Sequence, residues 1–494
     1  MIHSFKLLKE LIAHLSSKEI SLLKKRISTN QDKQHEKNSK SKHLFNHILN
    51  NPDITAANLE KTIYGAENKI AFVKLIERTI EKIDEIYITF NNDITSFNSE
   101  RNYYYFALKR KLLVLQMRWL RGIDYDLGLQ FERIISLSKK YELYEILIDV
   151  LQAKQRFVGF RYGNSAFDKI EKDIIKYENT RKVVQRARSL FTKIATKIER
   201  SISYNQYHNE LEKTIYDLTE DYSKTDAALV KYYLLYLQVE WLQNNNKIKD
   251  ARKTLFELEN WVLNNKSVYT NARHGEVIMN LSYAELSLGN LNTALRIILA
   301  CEKLFERNSV PYNIGKEIEF ICRFHLNEIE LAQKIIEKTH STSNYNNVPL
   351  KFGKYSYYYA CVKTLKGEIE KSNELLLQAK ELDKDKGSWN IGKRVLTIIN
   401  CIETQDHEKA ELQVMNLEKF IKRNSKRYPI RKREKLIMRI LLNLVNEGYD
   451  FERVYKNRKR YLDLLESDDP DYAWKIKSPE LIIFTEWFKK KMLE

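Results

Sequence analysis

The stretch YAELSLGNLNTALRIILACEKLF, Tyr283 to Phe305, decides the fold. It reads as an apolar helix, a glycine at Gly289, an apolar residue two positions on at Leu291, a small residue five positions on at Ala294, then a second apolar helix. A turn between two antiparallel helices needs a residue that tolerates left-handed φ, which Gly supplies best and Asn next best. The small residue lets the second helix approach the first. VKTLKGEIEKSNELLLQAKEL, from Val362, repeats the arrangement with Gly367, Ile369 and Ser372.

Outward from these two segments the spacing recurs with Asn246, Ile248 and Ala251, with Asn327, Ile329 and Ala332, and with Gln405, His407 and Ala410. The turn positions 246, 289, 327, 367 and 405 are separated by 43, 38, 40 and 38 residues. A period near forty belongs to two-helix solenoid units. Gly122 and Gly163 extend the phase upstream, with room for one more unit near Tyr204, and Gly448 closes it downstream. The repeats then run from about Tyr103 to about Leu465, some nine antiparallel helix pairs inside a domain covering 97–494.

The arrangement resembles tetratricopeptide repeats. Leu281, Ala284, Leu288, Gly289, Ala294 and Ala300 carry the likeness in one unit, and Ala360, Leu365, Gly367, Ser372 and Ala379 in the next. Elsewhere the small residue expected opposite the neighbouring helix becomes Val239, Phe320 and Ile398. A HEAT-like or other helical-pair solenoid also fits, because all of these bury helix stripes against neighbours. The resemblance implies an all-α, right-handed α-solenoid that binds a protein or peptide in a groove lined by the first helix of each pair. Aligned on the repeat, Tyr233, Tyr236, Glu240, Met279, Tyr283 and Tyr357 are the candidate groove residues. Tyrosine combines broad apolar area with a polar tip, which suits peptide capture.

Residues 1–96 form a separate small helical domain by this reading. Ser16 and Glu19 make a capping box, the polar run near 29–42 reads as a linker, and helices follow to about Asn50, from about Thr55 to Tyr64, and beyond. The order of elements also resembles the N-terminal part of an uncharacterised family of helical repeat proteins common in Bacteroidetes. Gly65, with Lys69, Lys74 and Arg78 after it, gives a partial helix-turn-helix pattern, although Lys61 stands where a small packing residue is usual.

Composition agrees with helices throughout. Gly (13) and Pro (6) fall far below the ~7% and ~5% of average chains. No run of about 18 apolar residues exists to span a bilayer, and the opening residues lack the pattern of a signal peptide. Cys301, Cys322, Cys361 and Cys401 lie far apart with no paired spacing, which points to a reduced, cytoplasmic setting without a metal. Phosphate-loop, zinc-protease and nucleophile-elbow motifs are all missing from the sequence, so no enzyme and no cofactor is expected.

The net charge of +18 is unevenly spread: Lys419 to Arg460 holds fifteen basic residues against Glu434, Glu447, Asp450 and Glu452. Repeat phase places a helix over about 407–423, a connection, and a new helix from about Pro429. Its buried stripe is Leu436, Ile437, Ile440, Leu441 and Leu444, which leaves Lys432, Lys435 and Arg439 on an adjacent face. Arg453, Lys456 and Arg460 share an outer face of the next helix. These six form a candidate polyanion site, and a nucleic-acid-associated regulator is the alternative to a peptide-binding scaffold.

Overall fold

The computed structural model describes residues 2–28, 40–89, 97, 99–200, 207–305, 307, 309–341, 349–379, 389–426, 428, 430–476 and 478–494. Among them all regular structure is helical, and consecutive helices pack on one another. The chain divides into two compact units, Met1–Ile134 and Ile135–Glu494. The division expected at 96/97 rests on where the repeat phase begins, whereas this split groups the chain by packing.

The first unit holds α1 (Ile2–Ala13), α2 (Ser17–Ser28), α3 (Lys40–Asn50), α4 (Ala56–Tyr64), α5 (Lys69–Thr89), α6 (Glu100–Leu120) and the start of α7 (Leu127–Lys140). α5 is its central helix. Phe72, Leu75, Ile76, Ile83 and Ile86 recur at helical spacing and are buried with Phe5, Leu8, Leu44 and Phe45. The capping box forms as expected: the Ser16 amide donates to Glu19 Oε2 at 2.7 Å, and the Glu19 amide donates to Ser16 Oγ at 3.3 Å. Most of the expected linker, 29–39, lies outside the described residues.

The second unit continues with α8 (Tyr144–Tyr162), α9 (Asn164–Arg200) and α10 (His208–Thr225). Six hairpins follow: α11 (Ala228–Asn244) with α12 (Ile248–Asn264), α13 (Asn271–Ser287) with α14 (Leu291–Cys301), α15 (Val310–His325) with α16 (Ile329–Ser341), α17 (Pro349–Leu365) with α18 (Ile369–Gln378), α19 (Trp389–Glu403) with α20 (His407–Asn424), and α21 (Lys432–Asn446) with α22 (Phe451–Leu465). A last helix, α23 (Phe484–Leu493), buries Phe484, Trp487 and Phe488 against the final hairpins.

Every one of the six hairpin turns is left-handed at the anticipated residue, with φ of 61° at Asn246, 81° at Gly289, 60° at Asn327, 75° at Gly367, 56° at Gln405 and 62° at Gly448. At Gly289 the amide donates to Leu286 O at 3.1 Å and the next amide, of Asn290, to Glu285 O at 3.0 Å. This pair of bonds satisfies the last carbonyls of the first helix and reverses the chain in two residues. Ala251, Ala294, Ala332, Ser372 and Ala410, five positions after their turns, are each 0% exposed. These small side chains sit where the two helices of each hairpin meet.

Gln405 keeps a Cβ in a backbone region that disfavours it. Replacing it with Gly is expected to raise stability by about 0.5–1 kcal/mol, read as a higher urea midpoint. A lower midpoint would mean that the Gln side chain contributes more than the strain costs.

Between Gly163 and Asn246 the pairing changes: α9 runs 37 residues as one helix, Asn164–Arg200, where two helices of successive pairs would fit, and the turn expected near Tyr204 lies outside the described residues. The sequence of α9 has neither Gly nor Pro to end it early. No helix among the described residues is long and apolar enough to cross a membrane.

Candidate functional site: the first-helix face, its strap and the basic corner

The first helices of the hairpins are α11, α13, α15, α17, α19 and α21. On α11 and α13, Tyr236, Glu240, Met279 and Tyr283 are half-buried. Glu240 accepts from the Tyr207 hydroxyl at 3.0 Å and from Asn244 Nδ2 at 2.7 Å. Burial pushes the Tyr283 phenol well above its ordinary range, and the nearby carboxylates of Glu317 and Glu240 push it the same way. It stays protonated and able to donate. Tyr233 and Tyr357 differ from expectation: both are core residues. The Tyr233 ring stacks on Phe191 at 4.6 Å, and Tyr357 lies under another part of the chain. Repeat alignment places a residue on a helix, but cannot see what a non-repeating segment lays over it.

That segment is 466–483, between α22 and α23, which we call the strap; within it Lys477 lies outside the described residues. It starts at the N-terminal end of α21, where Asp471 O accepts from the Arg433 amide at 3.2 Å and Asp471 Oδ2 accepts from Lys432 Nζ at 2.5 Å. Ala473 O accepts from Arg431 at 2.8 Å. Trp474 then meets His325, at the end of α15, edge to face at 5.1 Å. Returning, the strap passes α17, where the Tyr357 hydroxyl donates to Pro479 O, and α19, where Pro479 rests on Gly392. A Cβ at Gly392 would stand 2.8 Å from Pro479 Cβ and 2.9 Å from Pro479 O. Only glycine seats the strap here.

Glu480 anchors its far end. It takes two bonds from Arg433, Nε to Oε2 at 2.6 Å and Nη2 to Oε1 at 2.7 Å. Arg433 Nη1 donates to Leu465 O and Tyr472 O, both at 2.7 Å, and the arginine is 1% exposed. All the donors of this guanidinium fork that the structure pairs go to acceptors held by the chain. Between strap and helices lies a small cavity of about 30 Å³ walled by Ile391, Val395, Leu396, Ile399, Ile437 and Ile482. Glu434 Oε2 and Ser478 Oγ, both at this pocket, are buried without a hydrogen-bond partner among the described residues. Burial pushes the Glu434 carboxyl above its ordinary value.

His325 is held neutral by burial, with its pKa lowered to about 4. The unfolded chain takes this proton first, near pH 6.5, so the contribution to stability is full above about 6.5 and is lost as pH falls towards 4. Between pH 7 and pH 5 the melting temperature of the wild type should fall further than that of His325→Phe. Equal falls would place the acid sensitivity elsewhere.

The basic corner is less open than its sequence suggests. Arg433 is internal. Of the six candidate residues, Lys432 pairs with Asp471, Arg453 with Glu447 at 2.7 Å and Lys456 with Glu452 at 3.5 Å. Lys435, Arg439 and Arg460 have no ion-pair partner among the described residues, Lys435 half-buried and the other two exposed. α21 begins at Lys432 with Arg431 before it, and Pro429 lies outside the described residues. The expected buried stripe, Leu436 to Leu444, is buried.

Other candidates resolve as packing. Cys301, Cys322, Cys361 and Cys401 are buried free thiols, and burial pushes the first three up to about 12. Among the described residues no cluster of His, Cys, Asp and Glu is arranged to hold a metal. Lys69, Lys74 and Arg78 are exposed on α5, but Glu77, Glu81 and Glu85 share that exposed surface and the helix is central to its unit.

One signal was visible and missed. Gly275, Gly315, Gly353 and Gly392 recur near the start of four successive first helices, twice within the tetrapeptide NIGK. Glycine inside a helix costs about 1 kcal/mol relative to Ala, so its repetition marks close approach. At Gly275 the neighbour is Phe305, and at Gly392 it is the strap. No protein-family model matches the chain, and no curated protein shows significant similarity to it.

Proposed function

We propose that this chain is a non-catalytic scaffold that binds a protein or peptide partner along the first-helix face of a right-handed, tetratricopeptide-like solenoid. The observation that carries the reading is the strap. A non-helical segment of the same chain already lies across α15, α17, α19 and α21, held by an indole ring, a carbonyl and a carboxylate. The surface thus has the donors and the seat that an irregular peptide requires. Tyr236, Glu240, Met279 and Tyr283 continue it on α11 and α13. Four buried thiols agree with a reduced, cytoplasmic setting.

A nucleic-acid role draws less support, because half of the candidate cations at the corner already face carboxylates of the chain. A random-peptide display selection against the full chain tests the proposal. Selected peptides should lose at least about tenfold in affinity for Tyr236→Ala and Met279→Ala proteins that keep wild-type helicity, as expected for truncating contact residues. Selection of no peptide, or of peptides indifferent to both substitutions, would count against it.

A further inference from the structure

We infer that the face formed by α15, α17, α19 and α21 is a docking groove for an irregular peptide carrying an aromatic residue and, six positions later, a carboxylate, and that the chain's own strap competes for it. The inference rests on the scaffold reading above and adds the partner's chemistry.

Charge dictates the carboxylate. Arg433 is buried, and lifting Glu480 away would leave a desolvated guanidinium without a counter-ion, at a cost of several kcal/mol. The strap therefore gives way only to something that brings its own carboxylate to the same fork. Geometry dictates the aromatic residue. Trp474 meets neutral His325 edge to face, and the indole Nε1 donates to Glu480 O at 2.9 Å, which fixes the distance between the two anchors. The Tyr357 hydroxyl reads only a backbone carbonyl and is indifferent to sequence.

The strap is also an imperfect occupant. A gap of about 30 Å³ remains beneath Ser478 to Ile482, and Glu434 Oε2 and Ser478 Oγ are left buried there without a hydrogen-bond partner among the described residues. Buried polar atoms without partners and unfilled apolar walls both weaken a contact. The strap's advantage is connectivity, since a tethered segment competes at an effective concentration on the order of millimolar.

The test uses a fluorescent peptide copying residues 471–482 and the full chain. Trp474→Ala weakens the internal competitor, so it should bind the peptide at least about tenfold more tightly than the wild type does. The same peptide with its glutamate changed to glutamine should lose that binding. Should Trp474→Ala fail to fold, Ile476→Ser, which also changes only the strap, replaces it. Equal affinity of the wild type and a folded strap variant, or indifference to the glutamate, would overturn the inference. Because the probe copies the strap, a negative result here says nothing against peptides selected on α11 and α13, and the two readings fail separately.

Discussion

Replacing Glu480 by Ala is expected to destabilise the second unit by about 3–5 kcal/mol, because it strands a buried arginine. Arg433 is 1% exposed, and Glu480 takes two of its four recorded side-chain bonds. The size of the effect comes from the partner left behind. Removing both charges together, as Arg433→Met with Glu480→Ala, should therefore recover much of the loss, since an apolar side chain needs no counter-ion. A double mutant no more stable than Glu480→Ala alone would show that the pair matters through the carbonyls of Leu465 and Tyr472, which Arg433 also holds. Chemical denaturation of the single and double variants reads both terms.

Gly392→Ala should loosen the strap at Pro479 while leaving the helices in place. The added methyl gains about 1 kcal/mol of helix propensity within α19. It also meets Pro479 at 2.8–2.9 Å, and one of the two contacts is backbone, which has no rotamer to yield. The strap must move. Trypsin should then cut after Lys475 several-fold faster than in the wild type, while total helicity is unchanged. Unaltered cleavage would mean that Pro479 shifts within its seat and that the glycine is not needed there. The substitution is mild for the fold and severe for one contact, so it separates the strap from the scaffold.

How much of this was legible beforehand follows from the range of the interactions. The hairpin turns were readable because their cause is local. A left-handed residue and a small residue five positions on leave a mark at a fixed phase, and even Gln405 kept that phase without being Gly or Asn. The capping box at Ser16 and the apolar stripe of α21 were legible for the same reason. Arg433 was not. It stands between an exposed Lys432 and a half-buried Glu434, and its fate depends on a carboxylate 47 residues later. The run that looked like one cationic surface is thus divided between an internal staple, residues already paired, and a smaller free remainder.

Tyr233 and Tyr357 illustrate the same limit. Both sit at the helix positions that alignment assigned, and both are covered: one by Phe191 of the long helix that interrupts the repeat, the other by the strap. Segments that do not repeat are what a repeat pattern cannot predict. The recurrent glycines of the first helices were the accessible hint, since Gly275 and Gly392 concede helix stability for room, and at Gly392 the room is filled by residue 479.

Segment-resolved amide hydrogen exchange on the full chain tests the central claim most directly. If the strap occupies a groove meant for a partner, amides of residues 472–482 open locally and exchange at least about a hundredfold faster than those of α17, α19 and α21, whose protection reflects unfolding of the unit. Exchange of the strap at the same rate as those helices would make it a fixed part of the core, and the first-helix face beneath it would not be available to any partner.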